Sequence, residues 1–189
     1  MAEPETPAPS LTRAWRPGDP LPDVDSMLRV DQAGEYGATR IYAGQLAVLG
    51  GRHKSAALIA GMAAQEQLHL AHFDALLAER NVRPTLLQPF WAVAGHALGA
   101  ATALLSPAAA MACTAAIEDE IDAHYSEQLD ELGDSDPPLS ASIAGFQADE
   151  RAHRDAAIEA GAETSFGYPL LYGAIRAGCR VAIELSKRI

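Results

Sequence analysis

The sequence predicts an all-α protein built as a helical bundle, and three observations carry that prediction. Alanine is abundant and β-branched residues are sparse, which favours helix. Long apolar stretches at helical spacing are punctuated by glycine and proline. Above all, one chemical spacing occurs twice: Glu35 is followed by Glu66 and His69, and Glu118 by Glu150 and His153. The paired glutamates stand 31 positions apart in the first copy and 32 in the second, and each second glutamate has a histidine three residues on. Residues three apart share a helix face. Each Glu-x-x-His can therefore offer a carboxylate and an imidazole to one metal ion, while Glu35 and Glu118 arrive from neighbouring antiparallel helices.

Residues 1–22 carry Pro4, Pro7, Pro9, Pro17, Pro20 and Pro22 and are expected to form a disordered tail, with Trp15 the one residue able to dock. The folded domain is expected over 23–189. A first helix is expected from about Asp23 to Leu49, with Leu28, Val30, Ile41, Leu46 and Leu49 in the core and Gly50-Gly51 as its stop. Gly34 and Gly37 flank Glu35 inside it, each costing about 1 kcal/mol in a helix interior. Small residues there would let a neighbouring helix or a bulky ligand come close.

A second helix is expected from Ser55, a good N-cap, to about Arg80, with Asn81 closing it and Pro84 beyond. Its apolar stripe of Leu58, Ile59, Met62, Leu70, Phe73 and Leu77 is interrupted by Glu66 and His69. Those two should therefore point inward, where an unpaired carboxylate is costly and a metal is the simplest compensation.

From Leu86 to Ile117 no residue is charged. Ser106-Pro107 reads as an N-cap followed by proline at the first helical position, which divides the stretch. A third helix is expected at about 89–105, and a fourth from Pro107 to Leu132, closed by Gly133. On the fourth, Asp122 and Tyr125 follow Glu118 on one face, and Asp119, Glu120 and Glu127 are expected to be solvated. Asp134 to Pro138 reads as a turn. A fifth helix, about Leu139 to Ala160, carries Glu150 and His153 with Ile143, Phe146, Ala157 and Ile158 as core candidates, and Gly161 ends it. A sixth, at about 169–187, has a narrow polar stripe of Arg176, Arg180, Glu184 and Lys187 on an otherwise apolar surface. It could cap the bundle or lie in a membrane interface with its basic stripe toward the headgroups. The repeat is thus three helices twice: a Glu helix, a Glu-x-x-His helix and an apolar helix without ligands.

The composition also excludes functions. A formal net charge of −11 argues against a nucleic-acid partner held through its phosphates. The N-terminus has no apolar segment of a secretory signal. Cys113 and Cys179 lie far apart in apolar sequence and read as two reduced, buried thiols.

Four carboxylates and two imidazoles without thiolates suit iron or manganese better than structural zinc. Two divalent ions would balance the four negative charges. The set matches the ligand arrangement of ferritin-like di-iron carboxylate bundles, so the expected fold is a ferritin-like four-helix bundle with two additional apolar helices. His53, His72 and His96 read as surface or packing residues. His124 could serve beside the site, and Asp149 could accept a proton from a ligating imidazole and set its tautomer.

Several long runs resemble the demethoxyubiquinone hydroxylase family of ubiquinone biosynthesis. They are Asp31-Gln-Ala-Gly-Glu-Tyr-Gly-Ala-Thr-Arg-Ile-Tyr-Ala-Gly-Gln45, Ala110-Met-Ala-Cys-Thr-Ala-Ala-Ile-Glu118, Ala177-Gly-Cys-Arg-Val-Ala-Ile183, and Arg83-Pro84-Thr85 with the small-residue run ending at Leu105. Gln32 stands where many members have histidine. The resemblance implies a monooxygenase with two Fe ions per monomer and O2 as co-substrate. It would hydroxylate the ring of a polyprenyl demethoxy-quinol with reducing equivalents derived from NADH. By motif the metal ligands would be Glu35, Glu66, His69, Glu118, Glu150 and His153, with Glu66 and Glu150 bridging, and Tyr125 falls where the family has a catalytic-site tyrosine.

So insoluble a substrate implies a peripheral membrane protein, expected at the cytoplasmic face of the bacterial inner membrane and docking through the helices at about 89–105 and 169–187. A homo-oligomer or a lipid-presenting partner protein would be compatible. Two rival readings use the same residues. One is a ferritin- or rubrerythrin-like di-metal oxidase or peroxidase, and the other a metal-free helical module that binds membranes.

Overall fold

The computed structural model describes residues 21–51 and 53–189; the expected tail, Trp15 included, lies outside them apart from its last two positions. Six helices follow in order: α1 Val24–Leu49, α2 Ala56–Arg80, α3 Gln88–Leu105, α4 Pro107–Leu132, α5 Pro137–Glu159 and α6 Tyr168–Arg188. A single 3-10 turn, Ala162–Thr164, precedes α6, and no strand occurs among the described residues. The all-α expectation holds, with helix ends within two residues of those expected.

Local chemistry explains most of the ends. Asp23 caps α1 by accepting from the Ser26 amide at 3.1 Å. Ser106 caps α4 through its hydroxyl, which accepts from the Ala109 amide at 2.9 Å. Asn81 closes α2 in the left-handed region at φ 56°, a conformation asparagine tolerates better than most residues. Two expectations fail here. Ser55 already has helical backbone angles and makes no capping bond; the Ala56 amide bonds instead to the His53 carbonyl at 2.9 Å. The expected turn at Asp134–Pro138 is shorter, because Asp136 accepts from the Leu139 amide at 3.1 Å and starts α5 at Pro137. Arg80 at the end of α2 donates to the other Asp136 oxygen at 2.5 Å and ties the two hairpins together.

α1 and α2 form one antiparallel hairpin, as Gln32 near the start of α1 donates to Asp74 near the end of α2 at 3.0 Å. α4 and α5 form the other, with Gln147 donating to Ser126 at 2.7 Å. The hairpins meet through α1 and α4, where Gln45 donates to the Ala110 carbonyl at 3.0 Å and Gln128 to Asp31 at 2.7 Å. Apolar layers close both ends of this four-helix bundle. Leu28, Phe73, Leu132, Leu139 and Ile143 fill one, and Ile59, Met62, Met111 and Ala157 the other. Ile158, expected in the core, is exposed because α5 turns Ala157 inward instead.

α3 and α6 lie outside the bundle against α1 and α4. α3 reaches α1 backbone to backbone: a Cβ on Gly99 would sit 2.0 Å from the Ile41 carbonyl oxygen, and one on Gly44 2.1 Å from that of His96. Gly34 and Gly37, by contrast, have no heavy atom within 4 Å of such a Cβ. Their Cβ directions open onto space, while the close helix contact runs through Gly44, Gly99 and Gly95, where a Cβ on the last would sit 3.1 Å from the Gly37 carbonyl oxygen.

α6 is held to α4 by charge. Arg176 and Arg180 donate to the two oxygens of Glu120 at 2.7 and 2.8 Å, and Arg176 also pairs with Asp119 at 2.6 Å. Glu120 is buried, not solvated as expected, and of the two roles open to the α6 stripe, capping the bundle or facing lipid headgroups, Arg176 and Arg180 take the first by meeting it. The reason is compensation: a carboxylate leaves water here only because two guanidiniums meet it. The far end of α6 is tied down by Ser26 and Arg29, each donating to the Lys187 carbonyl at 3.2 Å.

Candidate metal centre

The four central helices bring all six expected ligands together. Glu66, Glu118 and Glu150 are fully buried, and Glu35, His69 and His153 nearly so. Two overlapping groups form. Glu35, Glu66, His69 and Glu150 make one; Glu66, Glu118, Glu150 and His153 make the other. Within each group one ligand atom per residue lies within 4.8 Å of all the rest. Glu66 and Glu150 belong to both groups, the positions that two ions would share.

Eight buried atoms of these six residues have no hydrogen-bond partner: both oxygens of Glu66 and of Glu150, one each of Glu35 and Glu118, and Nδ1 of both histidines. The histidines' outward nitrogens are satisfied, so the orphaned atoms all belong to the inward side. His69 Nδ1 lies 3.2 Å from Glu150, and His153 Nδ1 3.0 Å from Glu66, without bonding to either. Orphans on this scale cost several kcal/mol in a dry interior, roughly 1–3 kcal/mol each, and an oxygen-rich donor set with two imidazoles fits divalent cations that would satisfy them.

The electrostatics point the same way. Burial, then the charges of Glu35 and Glu150, pushes the Glu66 carboxyl well above its usual range. Burial and Glu150 do the same to Glu118. Burial opposes a charge on Glu150 too, but the His153 and His69 imidazoles facing it hold its carboxyl down at about 2. Burial disfavours protonated His69, yet Glu150 and Glu35 outweigh it and raise the imidazole to about 10. Four clustered carboxylates cannot all ionise unless positive charge accompanies them. In the metal-free chain protons supply that charge.

The structure brings the expected Tyr125 and Asp149 to the cluster and adds Tyr42 and Gln65, which the sequence analysis did not single out. Tyr125 donates its hydroxyl to Glu35, across the bundle. Tyr42 donates in the same way to Glu118. Each tyrosine stands seven residues after one of the outer glutamates, so the repeated Glu-x6-Tyr was a readable signal for Tyr42. Behind the imidazoles, His69 Nε2 donates to Asp149 at 3.1 Å and His153 Nε2 to Gln65 at 3.1 Å. Asp149 and Gln65 each immediately precede a motif glutamate, and each serves the histidine of the other motif. His124 sits off the ligand set, accepting from Gln128 at 3.0 Å. The ring of Phe146 covers His69 with centroids 4.3 Å apart. Cys113 and Cys179 are both free thiols, pushed up to about 12 first by burial.

The other faces of α1 and α4 line a cavity of about 570 Å³ between α1, α3, α4 and α6. Its lining is apolar, and two of its few polar groups satisfy each other, as Trp91 Nε1 donates to Ser186 at 3.1 Å. Gly34, Ala38, Ile117 and Ile121 are part of the wall. These are the positions one before and three after Glu35 and Glu118, so cavity and ligand cluster share a partition one residue thick.

Comparison with known proteins places this arrangement. The family model described as ubiquinone biosynthesis protein COQ7 matches residues 22–186. The chain is 55% identical over 175 residues, 92% of its length and 82% of the relative's, to the 3-demethoxyubiquinol 3-hydroxylase of Rhodospirillum rubrum. It is 48% identical over 170 residues, 88% of its length and 78% of the relative's, to the mitochondrial NADPH-dependent 3-demethoxyubiquinone 3-hydroxylase of Homo sapiens. A third relative, the mitochondrial 5-demethoxyubiquinone hydroxylase of Saccharomyces cerevisiae, is 39% identical over 182 residues, 88% of this chain and 78% of its own.

Proposed function

The chain belongs to the ubiquinone biosynthesis protein COQ7 family, and from that premise we propose that it hydroxylates the ring of a polyprenylated demethoxyubiquinol. The observation that carries the chemistry is the cluster of eight orphaned ligand atoms in a dry core. On this reading Glu35, Glu66, His69, Glu118, Glu150 and His153 would hold two iron ions, with Glu66 and Glu150 belonging to both groups. Bound iron would supply the reduction of O2 that puts an oxygen atom on the ring.

The chain's own residues do the rest. Burial of all six ligands keeps water from the reacting atoms. Tyr125 and Tyr42 keep their protons, since burial raises both hydroxyls well above 10, and each steadies an outer glutamate by donating to it. Tyr125 is the residue we assign to the catalytic site, at the edge formed by Glu35. The apolar cavity takes the first part of the polyprenyl tail and aims the ring at the partition beside Gly34 and Ile117. Its size is within the range of small-molecule sites, about 300–1,000 Å³.

The tail must come from a bilayer. α3 exposes Phe90, Val93, Leu104 and Leu105, and α6 exposes Leu170 and Val181. No helix among the described residues is long and apolar enough to cross a membrane. Docking on the surface through α3 and α6 accounts for both facts, with the cavity between those helices as the entry. The face of the membrane is the cytoplasmic one of a bacterial inner membrane. The name of the Homo sapiens relative specifies NADPH, and the reductant implied by the family resemblance is NADH, so both belong in the assay.

The test is anaerobic loading of the purified chain with ferrous iron, followed by O2, NADH or NADPH and a short-tailed demethoxyubiquinone. The expected result is about two irons per chain and a product heavier by one oxygen atom, carrying label from 18O2. Turnover of peroxide or ferrous iron with no change in the quinol would favour the oxidase reading. A chain that binds no iron would remove the enzymatic one.

A further inference from the structure

The duplication relates the two halves of the site residue for residue. Glu35 answers to Glu118, Tyr42 to Tyr125, Glu66 to Glu150 and His69 to His153. The hydrogen bonds obey the same relation: each tyrosine reaches the outer glutamate of the other half, and each imidazole turns Nδ1 inward and donates Nε2 outward. The residues receiving those Nε2 protons also correspond, each preceding a motif glutamate, and both bonds measure 3.1 Å. Here the symmetry breaks in charge. Asp149 behind His69 is a carboxylate, and Gln65 behind His153 is a neutral amide.

We propose that Asp149 and Gln65 make the two metal positions inequivalent, so that the position formed with Glu35 and His69 fills first and holds its ion more tightly. The proposal rests on the di-metal reading above. A bond to a charged acceptor is roughly twice as strong as one between neutral groups. It leaves more electron density on the ring and makes Nδ1 the better donor to a metal. An amide oxygen fixes the tautomer equally well but adds no charge. Losing such a partner typically costs a ligand set about 10- to 100-fold in metal affinity. The Asp149 side chain is 40% exposed, and solvent screening puts its effect at the low end, about tenfold. Asp149 and Gln65 are positioning residues, acting only through the imidazoles they hold.

The probe is Co(II), titrated anaerobically into the metal-free full chain and followed by visible absorption and equilibrium dialysis, with 57Fe Mössbauer spectra at half and full loading. The wild-type chain should bind two ions in resolved steps and show one dominant quadrupole doublet when half loaded. Asp149→Asn keeps size and a hydrogen-bond acceptor, and should weaken the first step about tenfold, merging it with the second. Gln65→Glu should strengthen the second step instead, merging the two from the other side. Since the variants act on opposite steps, general loosening of the fold cannot produce both results. Two wild-type ions bound with equal affinity, or a first step unmoved by Asp149→Asn, would overturn the proposal while leaving the di-metal site intact. Absence of binding by the wild-type chain would overturn both.

Discussion

The same substitution, glycine to alanine, should have opposite effects at two positions of the α1–α3 region. At Gly99 an added Cβ would lie 2.0 Å from the Ile41 carbonyl oxygen, against 3.4 Å for ordinary contact, so the two helices must separate by about 1.4 Å. The obstacle is backbone, which cannot rotate aside, and the overpacking cost should reach about 3 kcal/mol, the top of the usual range. Alanine's better helix propensity returns about 1 kcal/mol. The net loss of about 2 kcal/mol lowers the melting temperature by roughly 4–8 °C for a chain of this size. At Gly34 the new methyl group meets open cavity, the propensity gain stands alone, and melting should rise by roughly 2–4 °C. Thermal unfolding followed by far-UV circular dichroism reads both. A Gly99→Ala chain that melts at or above the parent temperature would refute the close packing of α3 on α1. A Gly34→Ala chain that loses as much as Gly99→Ala would refute the distinction between the helix contact and the cavity wall.

The cavity gives a kinetic counterpart. Gly178→Phe, on the α6 wall of the cavity away from the partition, should leave the fold and metal content unchanged and raise KM for a long-tailed quinol much more than for a tail-less one, and equal effects on both would rule out the cavity as the tail site. Tyr42→Phe and Tyr125→Phe should each strand a buried carboxylate oxygen and cost about 1–3 kcal/mol, as measured by chemical denaturation. Similar losses of stability with a larger loss of turnover in Tyr125→Phe would support its catalytic assignment, whereas identical turnover would make both tyrosines supports only. In the metal-free chain His69 is raised to about 10, and Glu66 and Glu118 are raised as well. The folded state therefore holds more protons than the unfolded one, and these groups lose their stabilising effect as pH rises toward 10. Glu150, held at about 2, has the opposite sign, but its contribution is complete above the ordinary carboxylate range and fades only in acid. Metal-free protein should thus melt lower at about pH 9 than at about pH 6, and the gain on adding ferrous iron should grow with pH as bound metal replaces those protons; a gain that shrinks with pH would contradict the site. Finally, replacing Phe90, Val93 and Leu104 by serine should reduce co-sedimentation with anionic vesicles without changing metal content, and unchanged sedimentation would move the docking face elsewhere.

What the sequence made legible is what repeats or what changes backbone chemistry. The Glu, Glu-x-x-His duplication located all six clustered residues, because helical periodicity converts a fixed spacing into a shared face. Ser106, Asn81 and Gly133 marked helix ends because caps act within a few residues of themselves. Pairing between distant helices was the part that stayed hidden. Glu120 reads as solvated when only its own helix is considered, yet the arginines that bury it lie 56 and 60 positions later. For the same reason the basic stripe of α6 left lipid headgroups open as partners when its partner was a carboxylate on α4. Gly34 and Gly37 could equally have admitted a helix or a ligand, and only the position of α3 decides between them. Tyr42 and Gln65 are a different case. Both lie at offsets that repeat in the second half, so carrying the duplication past its six ligands would have found them.

Duplication alone would give a site with two equivalent sides, and the two helices outside it are where the halves diverge most. α3 approaches α1 through glycine and carries no charge, while α6 approaches α4 through arginines that meet Asp119 and Glu120. The two attachments do different physical work. Backbone contact lets α3 lie close with its exposed face wholly apolar. Ion pairing anchors α6 at one edge of α4, where Ile175 also packs on Cys113, Ala116 and Ile117, and room remains between α6, α3 and the bundle. The apolar cavity is that room. The carboxylate–histidine cluster faces α2 and α5, so α1 and α4 each present carboxylates on one side and small or branched apolar residues on the other. On the proposed reading, a substrate with a polar ring and a long hydrocarbon tail meets that partition ring first, with its tail in the cavity and its far end toward α3 and α6. The orientation of the reacting ring therefore follows from which helix faces were left apolar, independently of any contact to the ring itself.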